Sequence, residues 1–187
     1  MVEENVENTD TEFSYELKIP QERVAVLIGT DGKTKKEIEE NSKSKLDISK
    51  EGDVVITGSD ALLLYVAREV IRAISRGFNP KHAMQLLKTD YVLEIIDMKE
   101  VAGKNKNTME RMKGRVIGSG GKAREEIERL TDTHISVYGK TIGIIGDTEN
   151  TFLAREAVAM LLNGSMHKTV YHFLEKKHKE KLFGAKE

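Results

Sequence analysis

Two stretches decide how this chain folds: LIGTDGKTKKEIEEN at residues 27–41 and VIGSGGKAREEIERL at residues 116–130. Both hold Ile-Gly-x-x-Gly-Lys with an Ile nine residues after the first Gly, so Gly29 matches Gly118, Gly32 matches Gly121, Lys33 matches Lys122 and Ile38 matches Ile127, each 89 residues apart. The match extends outward in both directions. An alternating segment precedes each stretch (FSYELKI, YVLEIIDM), two more follow (KLDISKE and DVVITG; HISVYG and TIGIIG), and an Ala-rich segment closes each copy (ALLLYVAREVIRAISR, NTFLAREAVAMLL). So long an ordered pattern marks an internal repeat.

Hydrophobic period gives each copy the order β-α-α-β-β-α: alternating segments are strands, and the polar stretch around Ile38 or Ile127 is a helix opening at Gly-Lys. The turn at Glu51–Gly52 makes a hairpin of the last two strands of the first copy, Asp60 is placed to cap its final helix, and Gly77 to stop it. Residues 80–90 read as a turn at Pro80 and a short connecting helix. The chain then divides into a disordered acidic tail (1–11), a first unit (12–79), the connector (80–90), a second unit (91–165) and a basic C-terminal helix (166–187), with Val170, Phe173 and Leu174 on its apolar face.

Composition excludes several functions. The 187 residues contain no Cys and no Trp, which removes disulfide scaffolds, Cys-ligated zinc and thiol catalysis. No apolar run approaches the ~20 residues of a membrane span. VEENVENTDTE after Met1 is no signal peptide, so a cytoplasmic location is expected. The net charge of −1 conceals its distribution. Residues 1–16 carry six acidic groups and no base, residues 104–124 carry seven Lys or Arg against Glu110 alone, and the last 22 residues hold six Lys and three Glu. Basic zones of this kind suit a polyanion, although a solvated helix face reads the same way.

A loop bracketed by two glycines lets a ligand backbone come close, and the helix behind it offers N–H groups and a partial positive end to phosphate. GSGG at 118–121, flanked by Arg115, Lys122 and Arg124, fits this chemistry. GTDG at 29–32 (Gly29, Thr30, Asp31, Gly32) fits it less well, because Asp31 opposes phosphate and Lys33, Lys35 and Lys36 only partly counter it. Other motif matches fail. A P-loop needs Gly where Leu27 and His134 stand. GSGGKA follows a helical pattern and lacks the later acidic strand end of a dinucleotide fold. NGS at 163–165 is a sequon without a secretory signal. No paired carboxylates or metal-spaced His set stands out, so no catalysis, metal or cofactor is expected.

The order of elements with VIGSGGKAREEI between helices resembles the type I KH domain, a module for single-stranded RNA or DNA. SRGFNPKHAMQLL, the two glycine loops and LLNGSMHKTVYHFLEKK together make the chain similar to the archaeal and eukaryotic pre-ribosomal KH family, the Dim-type or partner-of-Nob family, over about residues 13–180. That resemblance implies an α+β fold of two tandem type I KH domains, each a three-stranded antiparallel sheet packed on three helices, with a C-terminal helix. It also implies RNA binding near the 3′ end of small-subunit ribosomal RNA during assembly of that subunit, alongside the maturation endonuclease and the dimethyladenosine transferase. KH domains clamp about four nucleotides at the loop. Carried onto this sequence, the RNA site is Gly118, Ser119, Gly120, Gly121, Lys122 and Arg124, with Arg111, Lys113 and Arg115 as the basic flank. Ile117, Ile127, Ile135 and Val137 would form an apolar floor for bases; each also reads as core, the favoured reading for Ile127 and Ile135 since every KH core needs such residues. The first loop with Lys33, Lys35 and Lys36 is a secondary surface for RNA or protein. Two departures from the KH pattern are Lys35 and Arg124 at a usually apolar position, and variable pairs (Thr-Asp, Ser-Gly) lacking a base. A KH adaptor for proteins and a general single-stranded RNA binder of another pathway are the competing readings.

Overall fold

A computed structural model describes residues 12–103 and 105–184; the acidic tail expected to be disordered lies outside them. The first copy runs β1 (Phe13–Lys18), α1 (Gln21–Ile28), a 3₁₀ turn (Thr30–Gly32), α2 (Lys33–Ser42), β2 (Lys45–Ile48), β3 (Asp53–Gly58) and α3 (Ala61–Ser75). Its strands form an antiparallel sheet in the order β1-β3-β2. In β3, Val54 and Ile56 turn inward and Asp53, Val55 and Thr57 outward, the alternation of a sheet with one wet face. The carboxylate of Asp60 accepts from Leu62 N–H (2.9 Å) and Leu63 N–H (3.0 Å), fixing the start of α3. Leu64, Ala67, Val70, Ile71 and Ile74 recur at helical spacing and bury one face of α3. Gly77, at φ +93°, ends it.

The connector is shorter in period than expected. Asn79 caps α4 (Pro80–Ala83), Pro80 opens the helix where its missing N–H costs nothing, and residues Met84–Leu87 tighten to 3₁₀. The second copy repeats the first as β4 (Tyr91–Asp97), α6 (Lys106–Ile117), a 3₁₀ turn (Ser119–Gly121), α7 (Lys122–Thr131), β5 (His134–Tyr138), β6 (Thr141–Asp147) and α8 (Thr148–Leu162), with strand order β4-β6-β5. It adds a short helix α5 (Met98–Ala102), capped by Asp97 and stopped by Gly103 at φ +60°. Helix α9 (His167–Gly184) follows, with Val170 and Leu174 buried and Phe173 half-buried in the second core. Among the described residues no helix is long and apolar enough to cross a membrane.

The two sheets differ in what covers them. Every residue of β6 from Thr141 to Gly146 is buried. Ile142 and Ile144 face the helices of their own copy, whereas Ile145 belongs to the core of the first copy. The outer face of the second sheet is therefore packed on the end of α3 and the connector. That close approach requires glycine at two places. A Cβ on Gly143 would lie 2.6 Å from the ring of Phe78, and one on Gly77 would lie 2.8 Å from both Ser136 Oγ and Tyr138 Cβ. Ser136 Oγ donates to Arg76 O (2.9 Å), and the Tyr138 hydroxyl donates to the Glu22 carboxylate, pinning the strand to the first copy.

Candidate nucleic-acid interface

The two glycine loops have the same backbone. Gly29 and Gly118 stand at φ/ψ of +74°/173° and +73°/176°, Asp31 and Gly120 at +51°/28° and +60°/22°, and Gly32 and Gly121 at +75°/14° and +85°/−1°. The first glycine is obligatory: a Cβ on Gly29 would lie 2.4 Å from Thr34 Oγ1, and one on Gly118 would lie 2.5 Å from Ala123 Cβ. The third position is left-handed in both copies, so Asp31 occupies a conformation that Gly120 adopts without strain. Nothing lies within 4 Å of a Cβ built at Gly120.

The duplication extends through the hydrogen bonds behind each loop. Glu39 Oε1 accepts from Leu46 N–H (2.8 Å), and Glu128 Oε1 accepts from Ile135 N–H (2.6 Å). Lys35 Nζ lies 3.8 Å from Glu39 and Arg124 Nε 3.7 Å from Glu128. Ser42 and Ser44 are bonded to each other as Thr131 and Thr133 are. Lys43 and Asp132 both end their helices in left-handed geometry. The unusual residues at 35 and 124 thus form ion pairs with the carboxylate that ties α2 or α7 to the neighbouring edge strand.

In the second copy these features surround a groove. Ser119 and Gly120 are exposed, and no side chain caps the N-terminus of α7, where Gly121 is the N-cap and Lys122 is exposed. Backbone N–H groups there are oriented for an anion. Across the groove β5 is an edge strand. Ile135 turns its N–H away from the sheet to Glu128, so Val137, two residues on, turns its own N–H and C=O outward. Arg124 Nε is buried and finds no hydrogen-bond acceptor among the described residues. Burial raises the Glu128 carboxyl above its ordinary range, opposed by the Ile135 N–H and by the charges of Arg124 and His82.

The expected flank and floor divide. Arg111 is exposed, Lys113 pairs with Glu110 at 2.8 Å, and Ile117 and Val137 are half-buried beside the loop and on the edge strand. Three residues are corrected. Ile127 (0% exposed) on α7 and Ile135 (5%) on β5 pack into the second core between sheet and helices, so they form no broad open floor, although Ile135 reaches the lining of a cavity beside β5. Arg115 is committed elsewhere: Nε donates to Leu161 O (2.9 Å) in the last turn of α8 and Nη2 to Ser165 O (2.6 Å) in the turn before α9. In the first copy, Thr30, Asp31, Lys33 and Lys36 are exposed, and Asp31, Lys33 and Lys36 share a shallow depression with Glu37 and Glu40.

Sequence reasoning missed the far wall of the second groove. Arg23 and Asn79 from the first copy and His82 from the connector line a cavity of about 410 Å³ with Arg124, Glu128 and Val137. His82 stacks on His134 with ring centroids 3.8 Å apart and planes 1° from parallel. The Gln85 amide lies 3.2 Å from His134 Nε2, within hydrogen-bond distance. Burial lowers the affinity of His134 for a proton, and the charge of His82 lowers it further. One clue in the sequence was Gly143 inside a strand, a mark of close backbone approach.

Two β-α-α-β-β-α units, each with its glycine loop between two helices, define a tandem type I KH protein. A model of the KH domain matches residues 14–73, and a model described as "Eukaryotic type KH-domain (KH-domain type I)" matches residues 92–179. The chain belongs to the Dim2/PNO1 family of tandem KH-domain proteins. It is 47% identical to a KH domain-containing protein of Methanocaldococcus jannaschii over 88% of this chain and 74% of the relative. It is 34% identical to RNA-binding protein PNO1 of Oryzias latipes over 60% of this chain and 46% of that protein. The crystal structure of Dim2p from Pyrococcus horikoshii superposes with a TM-score of 0.82 at 40% identity, covering 88% of this chain and 99% of that one. A chain of the a/eIF2alpha-aDim2p-rRNA complex from the same organism superposes with a TM-score of 0.85 at 40% identity, covering 91% of this chain and 96% of that one.

Proposed function

We propose that this chain binds single-stranded RNA near the 3′ end of small-subunit ribosomal RNA and acts in assembling that subunit, with most of the affinity in the second repeat. The observation that carries this reading is the loop Gly118–Gly121, exposed at Ser119 and Gly120, with three glycines in four positions, an uncapped α7 behind it and Lys122 and Arg124 beside it. Phosphates sit against the loop and the first turn of α7, while bases reach toward the outward N–H and C=O of Val137. Aromatic residues are only 5% of the chain, so affinity comes from phosphate and backbone contacts more than from stacking. The ribosomal setting rests on the relatives, since the P. horikoshii complex contains rRNA and other relatives are named pre-rRNA-processing proteins. The maturation endonuclease and the dimethyladenosine transferase are proposed partners, and the cytoplasm the proposed site of action. Crosslinking the chain to RNA and sequencing the adducts tests this. Enrichment of the small-subunit 3′ end is expected; reads scattered over unrelated transcripts would reduce the protein to a general RNA binder.

Asp31 favours a second reading for the first repeat alone, as a surface for proteins. A carboxylate at the third loop position faces the place where phosphate would lie, and Glu37 and Glu40 add to it. Disrupting Gly29–Gly32 is then expected to leave RNA affinity unchanged in an anisotropy titration, and a large loss would return this loop to RNA.

A further inference from the structure

We propose that the first repeat and its connector supply one wall of the second repeat's nucleotide groove, so that a base adjoining the loop-bound nucleotides is held between the repeats by Asn79 and His82. The inference rests on the RNA reading above and names a subsite within it. The cavity of about 410 Å³ falls within the ~300–1,000 Å³ of ordinary ligand clefts. Its second-repeat side is the groove itself: Arg124 with a buried Nε lacking an acceptor among the described residues, Glu128, and the outward edge of β5. Its opposite side belongs to the first repeat and the connector that follows it.

The chemistry of that wall suits a nucleobase with its phosphate. Asn79 Oδ1 is taken by Lys81 N–H (2.9 Å), which leaves its NH₂ as a donor. His82 presents the edge of a ring already held flat against His134. Arg23 donates Nε to Ile74 O (2.8 Å) and Nη2 to Phe78 O (2.7 Å), so its positive charge is fixed at the rim. The wall is also rigid. Phe78 seats on Gly143, Gly77 lies against Ser136 and Tyr138, and the Ser136–Arg76 and Tyr138–Glu22 bonds cross the same junction. The depression beside the first loop differs, being lined by Asp31 and residues of α2 alone. The cavity with a wall from outside its own repeat lies beside the copy whose loop is free of acid.

The test uses the full chain and short single-stranded RNAs carrying 4-thiouridine at each position in turn, irradiated, digested and read by mass spectrometry. Adducts are expected within residues 106–140 for the loop-bound positions and within residues 77–88 for one adjoining position. Asn79→Asp keeps the cap of α4 while adding a negative charge, and is expected to weaken binding about tenfold; Asn79→Ser keeps the cap, removes the amide and is expected to cost about threefold. Adducts confined to 106–140, with both variants within twofold of the parent, would overturn the shared groove even where the parent binds well. If the parent shows no RNA affinity, or if Ser119→Asp/Gly120→Asp leaves it intact, the RNA reading itself fails and this subsite with it.

Discussion

Gly118 and Gly120 stand two residues apart but answer to different physics. Gly118, at φ +73° and ψ 176°, is in a region reserved for glycine, and its missing Cβ leaves room for Ala123 at 2.5 Å. Gly118→Ala is therefore expected to cost about 1–3 kcal/mol in backbone strain, with the clash adding to it. Gly120→Ala meets no atom within 4 Å and is expected to cost only about 1–2 kcal/mol for the left-handed conformation. Urea denaturation of the two variants checks the order, and equal losses would contradict it. The glycines were legible from spacing alone. Arg115 was not, because a basic zone reads as one surface property while its guanidinium is spent on Leu161 and Ser165 carbonyls 46 and 50 residues away. Ile127 and Ile135 were ambiguous for a related reason: a groove floor and a core both call for aliphatic residues at the same period.

Strands and helices came through the sequence with their types intact wherever the period was sustained; α2 and α7 begin at the Lys after each closing glycine. Helix α5 was hidden because five residues between Asp97 and Gly103 are too few to show a period. The docking of β5 and β6 on the first repeat was also hidden, since TIGIIG reads as a strand whatever covers its second face. Gly143 is the test of that docking. Gly143→Ala would press a Cβ within 2.6 Å of the Phe78 ring, an overpacking expected to cost about 1–3 kcal/mol. A lowered urea midpoint with unchanged slope is the expected result, and parental stability would contradict the close packing. The His82–His134 stack makes the same junction sensitive to acid. Burial, and then the charge of His82, depress the proton affinity of His134 in the fold. Its contribution to stability is then present above the ordinary histidine pKa of 6.5 and lost as pH falls through the depressed value. Glu128, whose affinity for a proton is raised by burial, gives the opposite slope, favouring the fold at low pH and losing that contribution as pH rises through its raised value. A melting temperature that falls below pH 6.5 in the parent and falls less in His134→Gln is expected; parallel curves would remove His134 from the junction's acid response.

At the scale of the whole molecule, a net charge of −1 hides a division of labour. Two loops with one backbone carry different electrostatics, Asp31 in the first and Gly120 in the second. The family follows from the repeated pattern, the linker and the tail, whereas the shared groove depends on contacts between Arg23, Asn79 or His82 and residues far along the chain, which no local period encodes. Phosphate contacts impose a salt dependence, and log affinity is expected to fall with log salt by about 0.7 for each phosphate neutralised on a single strand; a flat curve would favour a protein-binding role. The most direct measurement is a fluorescence anisotropy titration of a single-stranded RNA from the small-subunit 3′ end with the parent, Ser119→Asp/Gly120→Asp and Thr30→Asp. Asp31 already occupies the left-handed third position in the first loop, so the double variant is expected to retain its fold, which its circular dichroism spectrum checks. Binding is expected to vanish in the double variant and to stay within twofold of the parent in Thr30→Asp, a margin of about 0.4 kcal/mol. Near-parental affinity in the double variant would contradict the assignment of RNA binding to the second loop.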